Sequence, residues 1–273
     1  CGFPYFSIFV CRFVAGLKRK PLYATWHEVW GKKYWMEYLG KPGIVGYWVE
    51  KLATRMPAAF VAVSDHTAEA LHHTFRVTQP VHVIENGIHV GHIQDVPSHT
   101  GSTDIVYVGR LVAFKHVDLI LKATAIIAKT KPHVRCLIVG NGPERIKLEH
   151  LAQELGITKN VTFVDFRDNH DDVIAYMKSG KVFVLPSTRE GFGLVVIEAN
   201  AGGVPVITVD SPANAARKLI NGKNGAVTKL NAAALAVGIE RALDGDFKKS
   251  DCVKAASEYD WQNIVHKFEK VLA

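Results

Sequence analysis

Two positively charged side chains, Arg110 and Lys115, follow a short apolar run at a place where they could hold a diphosphate. The run DIVYVG (104–109) is typical of a buried strand, and both cations come before the next helical segment. A guanidinium group binds two phosphate oxygens at once, and an ammonium group adds a compact positive charge. The spacing favours a site for a phosphorylated ligand, although two ordinary surface cations would give the same pattern.

A glycine-containing turn at the end of another apolar run could bind the same kind of ligand. KVFVLP (181–186) is typical of a strand and LVVIEANA (194–201) of a helix, with Gly191 and Gly193 between them. Glycine lets the backbone approach a ligand closely, and free N–H groups at the start of a helix attract anionic oxygens. This turn is therefore a second candidate for phosphate binding.

Two glutamates beside this turn could bind sugar hydroxyl groups. Glu190 lies in the loop, and Glu198 lies about one turn into the helix. A carboxylate so placed suits the two hydroxyls of a ribose, as acidic residues do in other nucleotide sites. Alternatively, Glu198 could cap the helix or form an ion pair on a solvated face, although its apolar neighbours disfavour this.

A third segment, Gly140 to Glu144, only superficially resembles a dinucleotide fingerprint. It contains Gly140 and Gly142 but has Pro143 where a further glycine would be needed. We interpret it as a tight strand-to-helix turn, with the proline in the first helical turn.

His27 is the candidate in the first part of the chain. It follows the strand-like run PLYATW (21–26), and a histidine at a strand end can donate to a substrate or polarise it. A structural histidine packed among tryptophans fits the same pattern equally well.

The elements that must position these residues alternate between short apolar runs and helical segments. The predicted strands are 21–26, 60–64, 81–85, 104–109, 134–140, 161–166, 181–186, 204–209 and 225–229. The predicted helices are 43–56, 66–75, 116–130, 143–156, 170–180, 194–201, 216–220, 231–244 and 261–272. Strands rich in Val, Ile and Leu between helices indicate a parallel sheet covered on both faces, with ligands beyond the carboxyl ends of the strands.

This alternation predicts one complete doubly wound domain and part of another. Residues 100–260 contain the complete pattern, whereas residues 1–99 have only about three strands. The polar segment 91–104, rich in Gly, Ser, Pro and His, is predicted to be the linker.

The composition excludes several classes of protein. The chain has 273 residues, 48% of them apolar, and 33 Lys and Arg against 26 Asp and Glu give a net charge of +7. These values exclude a disordered, collagenous or mucin-like protein. The four cysteines suggest neither a disulfide framework nor a zinc site, which favours a reduced, cytosolic compartment. The sequence shows no secretory signal and no run of roughly 18 apolar residues that a membrane span requires.

Positive charge is concentrated near the start of the chain. Residues 1–60 carry nine basic and three acidic residues, a net of +6, together with four of the five tryptophans. Such a surface could face anionic lipid, a phosphorylated substrate or nucleic acid, of which nucleic acid is the least favoured because no binding motif accompanies it. A solvated basic face over a Trp-rich core is the alternative.

Taken together, the motifs resemble the retaining, nucleotide-sugar-dependent glycosyltransferases of family four, which have the GT-B fold. The resemblance rests on Gly109-Arg110 with Lys115, on Gly140 to Glu144, on Pro186 to Gly193, and above all on Glu190 and Glu198 with seven residues between them. Asn86-Gly87-Ile88, Val63-Ser64 and the WHEVWG run (26–31) also match the family.

The resemblance implies an α/β protein of the GT-B type, with two Rossmann-like doubly wound domains built on parallel sheets. Residues 1–95 would form an incomplete N-terminal, acceptor-side domain. The resemblance also predicts that the chain is truncated at its N-terminus, because family members begin with a glycine-rich first strand and loop. Residues 96–260 would form the nucleotide-sugar-binding domain. A helix over 261–273 would pack back on the N-terminal domain.

The resemblance also implies a role for each candidate residue. Arg110 and Lys115 would hold the donor diphosphate, Glu198 the ribose, and Glu190 the transferred sugar, while His27 would face that sugar from the N-terminal domain. The implied catalytic residues are His27, Arg110, Lys115 and Glu190. The implied donor-binding residues are Gly109, Arg110, Lys115, Val164, Arg167, Glu190, Gly191, Phe192, Gly193, Leu194, Val195 and Glu198, with the base near Val164 to Arg167.

The expected activity is hexosyl transfer from a UDP- or GDP-sugar to a glycan or lipid-linked acceptor, as in polysaccharide biosynthesis. The resemblance implies retention of configuration, no metal and no other cofactor. We expect a cytoplasmic protein, with peripheral contact to the inner face of the cell membrane through residues 1–60 and no nucleic-acid partner. The alternatives are another GT-B enzyme, such as a nucleotide-sugar epimerase or a phosphorylase, or a truncated module that binds nucleotide without catalysis.

Overall fold

The computed structural model describes residues 5–101 and 103–272, which form two units. Unit 1 comprises residues 5–86 and 264–272, and unit 2 comprises residues 87–263. The division thus falls earlier than the predicted boundary after residue 95, because the segment before that residue is a helix that packs within unit 2.

Unit 1 is a three-stranded parallel sheet with helices. Its strands, in the order β1-β2-β3, are β1 (Tyr23–Trp26), β2 (Ala59–Ala62) and β3 (Val81–Val83). Its helices are α1 (Phe6–Leu17), α2 (Gly31–Leu39), α3 (Gly43–Ala53) and α4 (Asp65–Phe75). The core packs Trp26 and Phe60 from the sheet against Leu71 and Phe75 of α4. Ser64 caps α4: its hydroxyl accepts a hydrogen bond from Thr67 N at 3.1 Å.

A buried carboxylate, that of Glu50, holds the start of α2, a helix that the sequence pattern did not predict. Glu50 is 0% exposed and accepts hydrogen bonds from Trp30 N and Gly31 N, both at 2.9 Å, and from the indole of Trp35 at 2.8 Å. The hydroxyl of Tyr5 also donates to it, at 3.2 Å. Burial raises the pKa of Glu50, and these hydrogen bonds oppose that shift. The first N–H groups of α2 are thus satisfied by a carboxylate from α3, with no local capping residue to signal the helix.

Unit 2 contains a six-stranded parallel sheet in the order β6-β5-β4-β7-β8-β9. The strands are β4 (Thr103–Val108), β5 (Cys136–Val139), β6 (Val161–Val164), β7 (Gly180–Leu185), β8 (Val206–Val209) and β9 (Gly225–Thr228). Its helices are α5 (Val90–Asp95), α6 (Val117–Ala128), α7 (Arg145–Glu154), α8 (His170–Lys178), α9 (Leu194–Ala201), α10 (Ala232–Leu243) and α11 (Lys249–Ser257). The strand order reverses between β4 and β7, which places the ligand crevice of a doubly wound sheet at their carboxyl ends.

Three local predictions were wrong, and one helix of unit 2 was missed. The start of the predicted linker 91–104 is helix α5, whose Val90 and Ile93 are buried. The ammonium of Lys178 donates to the carbonyls at its end, including that of Ile93 at 2.9 Å, so this polar segment is ordered by a distant side chain. Helix α11 was not predicted, and the helix predicted at 216–220 is a 3-10 helix over Ala215–Leu219. Pro143 precedes α7, which begins at Arg145.

The last helix, α12 (Trp261–Leu272), contributes Ile264 to a small cluster with Val61 and Ile84 of unit 1. Cys11, Cys136 and Cys252 are free thiols, and Cys1 lies outside the described residues. No helix in the described ranges has the length and apolar character needed to cross a bilayer.

Candidate functional site

The two loops at the carboxyl ends of β4 and β7 are joined by hydrogen bonds. Thr188 N donates to the carbonyl of Phe114 at 2.9 Å, and the ring of His116 lies 3.2 Å from the Thr188 hydroxyl. The guanidinium of Arg189 stacks on the Phe114 ring at 4.6 Å. Since β4 and β7 are neighbours in the sheet, these contacts bring the two loops that carry the candidate cations and glutamates together.

Lys115 and Glu190 form an ion pair across these loops. Lys115 Nζ lies 2.5 Å from Glu190 Oε1, and the side chains are only 15% and 13% exposed. The Glu190 backbone is fixed by two hydrogen bonds: Glu190 N donates to the carbonyl of Ala213, and Ala215 N donates to that of Glu190, both at 2.9 Å. The predicted phosphate cation and the predicted sugar carboxylate are therefore partners in this structure.

Arg110 is exposed at the end of β4, beside the buried phenol of Tyr107. The Tyr107 hydroxyl donates to the carbonyl of Arg110 at 3.0 Å, which fixes the backbone that carries the guanidinium. Burial raises the pKa of Tyr107, the charge of Glu190 raises it further, and that of Arg110 opposes the rise. Both charges thus act on one phenol at the end of β4.

The glycines of the segment Gly140 to Glu144 are explained by close backbone packing against the loop that carries Arg110. A Cβ on Gly140 would lie 1.9 Å from the carbonyl oxygen of Gly109, and one on Gly142 would lie 2.3 Å from that of Leu111. The backbones are also joined by a hydrogen bond from Leu111 N to the carbonyl of Asn141 at 2.9 Å. The segment is therefore a close packing partner of the Arg110 loop.

Helix α9 starts at this edge with free N–H groups. Gly193, with φ +105°, precedes Leu194 and Val195, and no described side chain caps the helix. A Cβ on Gly193 would lie 2.5 Å from the Cβ of Ala216. Phe192 is buried and packs edge-on against Tyr259, with ring centroids 5.8 Å apart, so only its backbone can serve a ligand.

Glu198, in the second turn of α9, contacts a histidine that the sequence had not marked. His170 Nε2 lies 3.1 Å from Glu198 Oε1; the glutamate side chain is 12% exposed and the histidine side chain 60%. This hydrogen bond is the main cause of a raised pKa for His170. Only the packing of α8 on α9 reveals the pair, because the residues are 28 positions apart.

The predicted base site lies at the end of β6. Val164 is the last residue of that strand and is half-buried, and Arg167 is exposed in the loop that follows. The Arg167 guanidinium lies over the ring of Tyr176 at 6.0 Å, and Phe166 beside it is 55% exposed. These groups follow the same sheet edge as the other candidates, at the strand two positions from β4.

His27 belongs to unit 1, where it follows β1. Its carbonyl accepts a hydrogen bond from the Thr67 hydroxyl at 3.4 Å. The residue is exposed, but its surroundings desolvate the ring enough to lower the pKa of His27. The structure thus places His27 at a strand end, where the lowered pKa favours the uncharged form of its ring.

Among the described residues, no group of three or more His, Cys, Asp or Glu side chains is placed to hold a metal ion. The site in unit 2 is instead built from cations, backbone N–H groups and two carboxylates, each of which has one oxygen bound to a basic side chain. Such a set can bind an anionic group and polar hydroxyls together.

Models of known protein families match both parts of the chain. The family model "Glycosyl transferases group 1" matches residues 92–259, and the model "Glycosyltransferase Family 4" matches residues 3–92. An uncharacterized glycosyltransferase of Haemophilus influenzae is 31% identical over 173 residues, which cover 62% of this chain and 48% of the relative. The match therefore spans only about half of that protein's length.

Solved structures agree on the fold. Sucrose-phosphate synthase from Thermosynechococcus elongatus superposes with a TM-score of 0.80 at 22% identity, covering 98% of this chain and 71% of that one. Anabaena HepE, solved with UDP and glucose, gives 0.78 at 20% identity, covering 98% and 76%. The predicted α/β architecture of the GT-B type is confirmed. The chain belongs to the glycosyl transferases group 1 family, which confirms the resemblance to family-four glycosyltransferases.

Proposed function

We propose that the protein transfers a sugar from a UDP- or GDP-sugar to a glycan or lipid-linked acceptor, with retention of configuration. The observation that carries the proposal is the convergence of Lys115, Glu190, Glu198 and the start of α9 at the carboxyl edge of the unit 2 sheet. The binding of UDP and glucose by HepE supports the class of donor. As the chain spans only about half of its curated relative, the activity is proposed for the whole protein.

The leaving group determines what the cations and the helix start must do. When the bond between the anomeric carbon and the diphosphate oxygen breaks, its electron pair stays on the diphosphate. Arg110, Lys115 and the N–H groups of Leu194 and Val195 would stabilise that developing negative charge without a metal. The acceptor oxygen would bond to the anomeric carbon from the face that the diphosphate leaves, and the acceptor proton would pass to the diphosphate.

The carboxylates would position the rest of the donor. Glu190 is anchored at its backbone and so would hold hydroxyls of the transferred sugar, once Lys115 turns toward phosphate. Glu198 would accept hydrogen bonds from the ribose hydroxyls.

A thermal-shift panel of UDP-, GDP- and ADP-sugars tests the proposal, because at a fixed concentration a ligand that binds more tightly raises the melting temperature more. We expect one of the first two classes to stabilise the protein, and Glu198→Gln to remove the shift. A lack of stabilisation by every nucleotide sugar would refute the assignment of the site. Interconversion of UDP-sugars in the absence of acceptor would favour an epimerase.

We further propose that α1 rests on an anionic membrane surface at the inner face of the cell membrane. Phe6, Val10, Phe13 and Leu17 are 62–71% exposed and share one face of the helix. Cations adjoin this stripe in the helix and just after it, at Arg12, Lys18, Arg19 and Lys20. An apolar stripe beside cations fits anionic lipid headgroups over acyl chains.

Cosedimentation with vesicles tests this contact. We expect binding to phosphatidylglycerol vesicles, weak binding to phosphatidylcholine, and loss of binding in Phe13→Glu. Ile146→Glu is the matched control, because Ile146 is also exposed, at 68%, but lies on α7 of unit 2. Equal binding to both lipids would refute the proposal, and self-association abolished by Phe13→Glu would assign the face to a second copy instead.

A further inference from the structure

His170, the first residue of α8, directs its ring at the carboxylate predicted to bind the donor ribose. The Nε2 atom lies 3.1 Å from Glu198 Oε1, although the two residues come from different helices. A carboxylate can only accept hydrogen bonds, so Nε2 must carry the proton and donate. The contact fixes the direction of a side chain that otherwise could rotate freely.

This hydrogen bond leaves the other oxygen of Glu198 available. Among the described residues, no hydrogen bond to Glu198 Oε2 is formed, and the side chain is only 12% exposed. Oε2 is not one of the buried, unpartnered polar atoms of the described residues, so water or a ligand hydroxyl can reach it and donate to it. Ribose hydroxyls are donors of the right kind.

His170 pairs with Glu198, because the neighbouring carboxylate of Asp171 is paired with another histidine. Asp171, the next residue of α8, is bound to His92 of α5, with His92 Nε2 at 2.7 Å from Asp171 Oδ1. The groups that face His170 are thus Glu198 from α9 and Asp171 from its own helix, while the ring of His92 faces the aspartate. The hydrogen bond to Glu198 and, more weakly, the charges of Glu198 and Asp171 raise the pKa of His170 against partial desolvation.

We propose that His170 is a positioning residue for the ribose of the nucleotide donor, acting through Glu198. By holding one carboxylate oxygen, it orients the other toward the ribose hydroxyls and so strengthens discrimination between ribose and deoxyribose. The proposal rests on the proposed function, in which Glu198 binds ribose. His170 itself does not touch the reacting atoms.

Calorimetric titration tests this role with UDP, GDP and their 2′-deoxy and 3′-deoxy analogues. In His170→Ala we expect affinity for the ribonucleotide to fall about 10-fold, as for a lost hydrogen bond to a charged group, and affinity for the deoxy analogues to change less than about twofold. His170→Gln, which keeps an N–H donor, should restore part of the discrimination. His150→Ala is the control, since His150 is an exposed histidine on α7.

A structural role alone would not produce this pattern. His170 is 60% exposed, so its replacement should leave the melting temperature within a few degrees, and a loss of affinity shared equally by ribo- and deoxynucleotides would overturn the proposal. The pH dependence offers a second readout: the ratio of ribo- to deoxynucleotide affinity should fall as pH rises through the pKa of His170, and His170→Ala should remove that slope.

The experiment separates failure of this inference from failure of the proposed function. If wild-type protein binds neither UDP nor GDP, the proposed function fails and the role of His170 fails with it. If wild-type protein discriminates ribose and Glu198→Gln abolishes that discrimination while His170→Ala does not, only the role of His170 is refuted.

Discussion

Replacement of Lys115 by methionine should weaken nucleotide binding far more than removal of an ordinary surface cation. The Lys115 side chain is only 15% exposed, and its ammonium forms an ion pair with the Glu190 carboxylate. A hydrogen bond to a charged group contributes about 1.5–3 kcal/mol, which corresponds to roughly 10- to 150-fold in Kd. Lys115→Met also leaves Glu190 without its cation beside the diphosphate, so we expect the upper part of that range.

A double-mutant cycle measured by calorimetry separates the two effects. Glu190→Gln in the Lys115→Met background removes the unpaired negative charge and should recover part of the affinity for UDP or GDP, with a coupling energy of about 0.5–3 kcal/mol. Lys122→Met is the control, because Lys122 forms an exposed pair with Asp118 on α6 and should change Kd less than about twofold. Unchanged nucleotide affinity in Lys115→Met would refute the assignment of this cation to the diphosphate.

Three further predictions concern the scaffold of the two units. Glu50→Gln should lower the free energy of unfolding of unit 1 by about 3 kcal/mol, because the amide nitrogen would face N–H donors that a buried carboxylate oxygen now accepts. Urea unfolding followed by tryptophan fluorescence measures this change, and Glu37→Gln, at an exposed position, should have almost no effect. Gly140→Ala should reduce both the melting temperature and the affinity for UDP or GDP, since its Cβ would meet the Gly109 carbonyl, whereas Gly91→Ala meets no atom within 4 Å and should do neither. NMR titration should find the pKa of His170 above 6.5, because the histidine gains a carboxylate partner on folding. The ion pair then stabilises the fold fully below pH 6.5 and loses that effect as pH rises through the folded-state pKa. A pKa at or below 6.5 would contradict the pairing.

The sheet of unit 2 could be predicted because its strands are short and almost wholly apolar. The runs 104–109, 134–140, 181–186 and 204–209 coincide, to within one residue at the start of β4 and β7, with the positions of β4, β5, β7 and β8. These are central strands covered by helices on both faces. A strand that is buried on both faces has apolar residues at successive positions, and such a run is visible in the sequence. The position of the crevice then follows from the general behaviour of parallel sheets.

Elements that depend on distant side chains could not be predicted in this way. Helix α2 begins where Glu50, from α3, accepts its first N–H groups, and α5 is held by the ammonium of Lys178 from α8. Neither helix has a local side-chain cap. A local pattern therefore contained no start signal for either of them.

The spacing of Glu190 and Glu198 could identify both carboxylates, but their basic partners become evident only in the fold. Lys115 is 75 positions from Glu190, and His170 is 28 positions from Glu198. The order β6-β5-β4-β7 brings the first pair together, because the loops after β4 and β7 are neighbours, and the packing of α8 on α9 brings the second together. The two pairs also differ in chemistry, since lysine stays charged at neutral pH whereas histidine titrates there. A site with the same two glutamates but without a histidine at position 170 should therefore bind the diphosphate equally well, while its ribose recognition weakens and loses its pH dependence.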